Sequence, residues 1–234
     1  MAHARSAVLA LTMSLGSLTG LAAPEPTESG ERDYVFVFIK TGPVTNLSPE
    51  AQREAFEGHF SNMKRLAEAG ELLIAGPFGN PKSDPDHWGL FVIDETTLEG
   101  GMAHAETDPT TKAGVFVLEE HLFTTDEPLV ELLRLEKEDE AKRLADPDIP
   151  DEWEGRRYLL ATAAFDAGLY EKSQATEGVL IAGRLHGSSA DGGDEILLWL
   201  DAEVEPQAKE ILPEGVWTLH GWYGSKMVAE MASE

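Results

Sequence analysis

Two residues of this chain carry types suited to moving a proton near neutral pH and fall on two predicted helices that would cover one sheet face, which makes contact between them feasible. His59 lies in "AFEGHFSNMKRLAEAG" and Asp108 in "ETDPTTKAG". A neutral imidazole accepts a proton near pH 7, and a carboxylate bonded to its other nitrogen fixes the tautomer and raises its basicity. Each residue also has a purely structural reading. His59 sits among apolar helix neighbours, where a histidine serves as a satisfied core residue, and Asp-Pro ends helices, with the Asp capping a local N–H. His104 and Asp108, four apart, are two metal-type ligands without a third at a matching spacing, so no metal is expected. His87 and His121 either line the same cleft or face solvent. The chain has no cysteine, which excludes thiol catalysis, disulfides, zinc–thiolate sites and iron–sulfur clusters. There is no phosphate-binding loop, dinucleotide fingerprint or nucleophile elbow, and "SSADGGDE" lacks the ligand spacing of a calcium loop, so no cofactor is expected.

The elements that must position these groups follow from periodicity and punctuation. "YVFVFIK", Tyr34 to Lys40, is β-branched and aromatic and reads as a buried strand. A long helix follows, with Ser48 as N-cap, Pro49 in its first turn and Gly70 at its stop. Ala55, Phe56, His59, Phe60, Met63, Leu66 and Ala67 share one of its faces. "ELLIAGPF" reads as a strand ending at a Gly-Pro break, "HWGLFVID" as a third strand, "TLEGGMAHAET" as a short helix and "AGVFVLEEHLF" as a fourth strand. The order is β-α-β-β-α-β. Residues 127–155 are helix-forming and charged, then acidic and Pro-rich, as in a linker helix and turn.

From residue 156 the strand pattern restarts with "RRYLLATAAF", "EGVLIAGRLHG", "DEILLWLD" and "GVWTLHGWY". Ala182-Gly183 lies over Ala75-Gly76 and Asp201 over Asp94, both at an offset of 107 (182 less 75, 201 less 94), which points to an internal duplication. The second copy keeps little of the long helix and has no counterpart of His59 or Asp108. The fold class expected is α+β, with tandem ferredoxin-like (βαββαβ) units, 33–126 and a degenerate 156–234, forming an internal α/β-barrel pseudo-dimer.

The chain has 234 residues, 42% of them apolar, enough for a packed core, and a net charge of −25. That charge argues against nucleic-acid backbones and anionic membrane surfaces as partners. At the N-terminus, Arg5, an apolar stretch to about Leu21 and the small residues Gly20 and Ala22 form the pattern of a secretory signal over 1–22, followed by a flexible tether, 23–32. The expectation is a secreted or periplasmic protein, with no membrane insertion once the signal is removed.

The stretch from Tyr34 to Thr124, through "GHFSNMKRLAEAGELLIAGPFGN", "GLFVID" and "ETDPTTKAGVF", resembles the YCII-related family of small ferredoxin-like α/β-barrel proteins. The marks that carry the resemblance are His59 on the helix, Gly76-Pro77-Phe78 and Asp108-Pro109, in that order. The resemblance implies a His59–Asp108 dyad in a cleft at the barrel, with His59 as general base and Asp108 orienting it. Gly76, Pro77 and Phe78 would then border a small-molecule substrate, Gly76 by admitting backbone to the ligand and Phe78 as an apolar floor. The activity implied is that of a lyase or isomerase abstracting a proton from small cyclic or chlorinated acids. The alternative is a non-catalytic small-ligand-binding or structural barrel. The second copy departs from the family at each of these marks.

Overall fold

β-Branched and aromatic runs form the strands, and Pro, Gly and capping residues set their limits. The computed structural model describes residues 30–146, 148–149 and 153–232. Along the chain these are β1 (Arg32–Thr41), α1 (Pro49–Glu68), β2 (Leu72–Gly79), β3 (His87–Ile93), α2 (Leu98–Ala105), α3 (Pro109–Lys112), β4 (Phe116–Thr125), α4 (Glu131–Ala145), β5 (Gly155–Ala164), α5 (Ala167–Gln174), β6 (Val179–Leu185), β7 (Glu195–Leu200), α6 (Glu205–Ile211), β8 (Thr218–Ser225) and α7 (Met227–Met231). The expected signal, 1–22, and nearly all of the tether, 23–32, lie outside the described residues, and so does any inference of secretion. Among the described residues no helix is long and apolar enough to cross a membrane.

The eight strands form one closed antiparallel barrel in the order β1-β3-β2-β8-β5-β7-β6-β4. This corrects the expectation of tandem ferredoxin-like units packed as an α/β-barrel pseudo-dimer. The physical reason is strand pairing across both junctions. β2 pairs with β8 at Phe78–Trp222 and Gly79–Gly221, and β4 pairs with β6 from Phe123–Leu185 to Thr125–Gly183. An edge strand leaves a row of backbone N–H and C=O groups unpaired, and closure removes that edge. Neither half therefore keeps a sheet of its own.

Alternation along the strands sorts the side chains. Tyr34, Phe36 and Phe38 of β1 turn into the barrel, where they join Leu90, Phe123, Tyr158, Leu160, Trp199 and Trp222 in one buried cluster drawn from all eight strands. Trp199 is fully buried at its centre, with the rings of Phe36, Phe123 and Trp222 at 6.2, 5.9 and 6.2 Å. The intervening residues Val35, Val37 and Ile39 turn outward under Leu66 of α1 and Ala105 of α2. Leu159, Ala161, Leu198 and Leu200 do the same under α5 and α6. α4 and α7 add Leu132, Leu135, Met227, Val228 and Met231 to the interior cluster beside Tyr34 and Tyr158, whose hydroxyls donate to the carbonyls of Glu127 and Ser225. The segment read as a linker helix thus closes one end of the barrel.

The repeated "IAG" has a steric explanation. A Cβ on Gly76 would collide with the Tyr223 carbonyl and stand 2.8 Å from the Trp222 indole, and one on Gly183 would collide with the Phe123 ring. Each glycine lets an aromatic ring from the neighbouring strand cross a barrel junction. We expect Gly76→Ala and Gly183→Ala each to lower unfolding free energy by about 1–3 kcal/mol or more, as overpacking does. Gly79→Ala, where an added methyl meets nothing within 4 Å, should stay within about 0.5 kcal/mol of the parent. Urea unfolding of the three variants checks this; equal effects at all three positions would contradict it.

Candidate active site

α1 begins where its sequence dictates: Ser48 Oγ accepts from the Ala51 amide, Pro49 opens the first turn, and a face of Ala55, His59 and Leu66 is buried. Ten residues in, that face presents His59 to the outside of the barrel, where its ring stacks on Phe91 at 6.1 Å and meets Phe56, Phe60 and Phe116 edge-on. Asp108 arrives from the other side as the N-cap of α3, its carboxylate accepting from the Thr110 amide at 2.8 Å and from the Thr110 hydroxyl. Gly58, the residue before His59, has only hydrogen facing Pro109, which would lie 2.8 Å from a Cβ placed there. The missing side chain lets α3 sit close on α1 and brings Asp108 onto His59.

The two meet at 2.6 Å, His59 Nδ1 to Asp108 Oδ2, with Asp108 1% and His59 8% exposed. Burial alone would raise the Asp108 carboxyl. The hydrogen bonds from His59 and the Thr110 hydroxyl, the charge of His59 and the Thr110 amide outweigh it and hold the group below its ordinary value. Asp108 is therefore the ionised member, and Nδ1–H donates to it. That leaves Nε2 with a lone pair and no protein partner among the described residues, on a side chain that keeps 11% of its surface exposed. The arrangement can hold one tautomer and take one proton at Nε2.

A cavity of about 180 Å³ lies beside the dyad, between the loop after β1, the start of α1 and the ends of β3 and β4. Phe56 and Phe116 line it, and both rings also touch His59. They separate the imidazole from the cavity by one aromatic layer. Trp88 forms another wall, with the Lys82 ammonium 4.9 Å from its ring centroid.

Gly76, Pro77 and Phe78 do not join His59 and Asp108. The chain does not break at Gly76-Pro77; β2 continues to Gly79, with Pro77 paired to Gly89. Gly76 gives its space to Trp222, Pro77 is exposed, and Phe78 turns into the barrel, 6.2 Å from Phe38 and 5.9 Å from His220. The dyad lies on the outer face of the same sheet, so Phe78 cannot floor its cavity. His104 contacts Glu71 and Glu95 instead of sharing an ion with Asp108, and among the described residues no group of three His, Asp or Glu could hold a metal. His87 lines the inner mouth of the barrel, and His121 meets Glu119 and the edge of Phe38 there.

Thr110, which fixes the second oxygen of Asp108, was not singled out from sequence, although a Thr two residues after an Asp N-cap is a readable signal. Ser83, Glu195 and His220 of the barrel mouth had no such signal, because they come from segments distant in sequence. Scans against models of known families, against curated proteins and against solved structures return no match.

The depressed carboxyl makes a pH prediction. A folded value below the unfolded one stabilises the protein above the unfolded value, about pH 4 for Asp, and this contribution is lost as pH falls through the lower folded value. Asp108→Asn should cost about 1–3 kcal/mol at neutral pH, and its gap from the parent should narrow as acid is added below pH 4. A gap constant down to the acid transition, measured by urea unfolding, would contradict it.

Proposed function

We propose that the protein is a small-molecule lyase or isomerase of YCII-related type, in which His59 is the general base and Asp108 its positioning residue. The 2.6 Å contact between His59 Nδ1 and Asp108 Oδ2 carries the reading, and the resemblance of Tyr34 to Thr124 to that family supports it. A proton held by an acidic C–H next to a carboxyl or carbonyl group passes to Nε2. The C–H electron pair moves into the adjoining π system, from which it either expels a leaving group or is reprotonated at another carbon. Asp108 stabilises the imidazolium so formed. The cavity beside Phe56 and Phe116 suits a compact ring-bearing acid, with Lys82 beside its Trp88 wall as a cation for the carboxylate, and proton transfer to Nε2 requires these two rings, which stand between the cavity and the imidazole, to move aside. No group in this scheme requires a cofactor.

A second reading has its own observation. Neither His59 nor Asp108 lines either of the two cavities, at the barrel mouth and beside Phe56, and four aromatic rings pack around the imidazole. In that reading the pair ties α3 to α1, and the barrel only binds a small ligand.

Exchange in deuterium oxide separates them. With a panel of small cyclic and chlorinated carboxylic acids followed by proton NMR, the catalytic reading predicts loss of an acidic C–H signal. His59→Ala should slow this by about 100-fold or more, and Asp108→Asn should lower the rate. Exchange that persists unchanged in His59→Ala would overturn the assignment, and absence of exchange across the panel would favour the binding reading.

A further inference from the structure

The end of the barrel opposite α4 and α7 is open, and it holds a cavity of about 260 Å³. Its lining comes from both halves of the chain: Phe38, Asp84 and His87 from the first, Thr162, Glu195 and His220 from the second. The floor is aromatic. The Phe38 and His87 rings stack at 4.4 Å, and Phe78 stacks on Phe38 at 6.2 Å. Above this floor the charged groups are unevenly matched. Lys40 is committed to Glu119 at 2.7 Å, and the other oxygen of Glu119 faces His121 at 3.1 Å. Asp84 faces His87 Nε2 at 3.3 Å and accepts from the Asp86 amide. Glu195 accepts only from the Ser188 hydroxyl, at 2.7 Å, and has no cationic partner among the described residues.

The two imidazoles do not supply the missing charge. Burial pushes His87 down, with the nearby Asp84 opposing, and burial, the largest cause, takes His220 down to about 4. Both lie below the ordinary histidine value of about 6.5, which favours the neutral imidazole. His220 is held by Ser83, and His87 Nδ1 is buried without a hydrogen-bond partner. A buried polar atom without a partner costs free energy, and a bound donor would recover it. An anion entering this mouth meets carboxylates, and no lysine or arginine is among the described residues that line it. A cation meets an unpaired carboxylate, two neutral imidazoles, hydroxyls and ring faces.

We propose that the open mouth of the barrel is a binding site for a compact, ring-bearing organic ammonium ion, its ring on the Phe38–His87 floor and its N–H groups donating to Glu195. The site is separate from His59 and Asp108, which lie on the outer face of the sheet.

Benzylamine is the probe, titrated calorimetrically into the full chain, with benzyl alcohol and benzoate as neutral and anionic counterparts. Saturable binding of benzylamine is expected, with benzyl alcohol and benzoate at least tenfold weaker. Glu195→Gln should weaken benzylamine by about tenfold, the loss of one charge-assisted hydrogen bond. Glu230→Gln, an equal change of charge at the closed end, should leave it unchanged, as should His59→Ala. Phe38→Leu tests the floor independently of Glu195 and should also weaken binding. Equal weakening by Glu195→Gln and Glu230→Gln would show general attraction to an acidic protein. That result would overturn the proposal, as would benzoate or benzyl alcohol binding as tightly as benzylamine, or no saturable binding of benzylamine.

Discussion

The structure depends on two places where strands distant in sequence must meet to close the barrel. At one, β2 meets β8 across Gly76 and Trp222; at the other, β6 meets β4 across Gly183 and Phe123. In both, a residue without a side chain faces a ring that fills the interior. Closure leaves no edge strand exposed and makes the interior one continuous cluster, so that Trp199 of β7 touches Phe36 of β1. Once the sheet is closed it has two faces with different neighbours. Helices α1, α2, α5 and α6 cover the outside, and α4 with α7 closes one end.

This division assigns the chemistry-bearing groups to separate places. His59 and Asp108 are joined on the outside because α1 and α3 are packed tightly there, with Gly58 against Pro109 and Thr110 holding the second carboxylate oxygen. His87, His220 and Glu195 gather at the inner mouth because they sit at strand ends whose side chains alternate inward. The outer pair is a buried His–carboxylate contact with one free nitrogen. The inner group is a set of acceptors lining an open cavity above an aromatic floor.

Much of the element order was legible in the sequence, and the long-range pairing was not. The run "YVFVFIK" carries its own strand signal, and Ser48 with Pro49 marks the start of α1 to the residue. Asp108 was readable as a cap, and it does cap α3 while also bonding His59, so its two readings hold together. Tandem ferredoxin-like units were expected because the strand spacing recurs, but spacing carries no information on whether two sheets stay apart or merge. That choice rests on contacts such as Gly76 with Trp222, which local pattern cannot show. Pro77 misled for a related reason. Proline breaks a central strand by lacking an N–H, yet Pro77 stays in register with Gly89 of β3, and β2 begins its pairing with β8 only at Phe78. Phe78 then follows the alternation of the continued strand into the barrel, away from the dyad.

The central claim is that Asp108, ionised and buried, fixes His59 with its proton on Nδ1 and its lone pair on Nε2. The nitrogen-15 shifts of the His59 ring, read by NMR above its titration, test this most directly. The account predicts the Nδ1–H tautomer in the parent protein and a change in that tautomer's population in Asp108→Asn. A ring found with its proton on Nε2, or one whose nitrogen shifts are the same in both proteins, would contradict it.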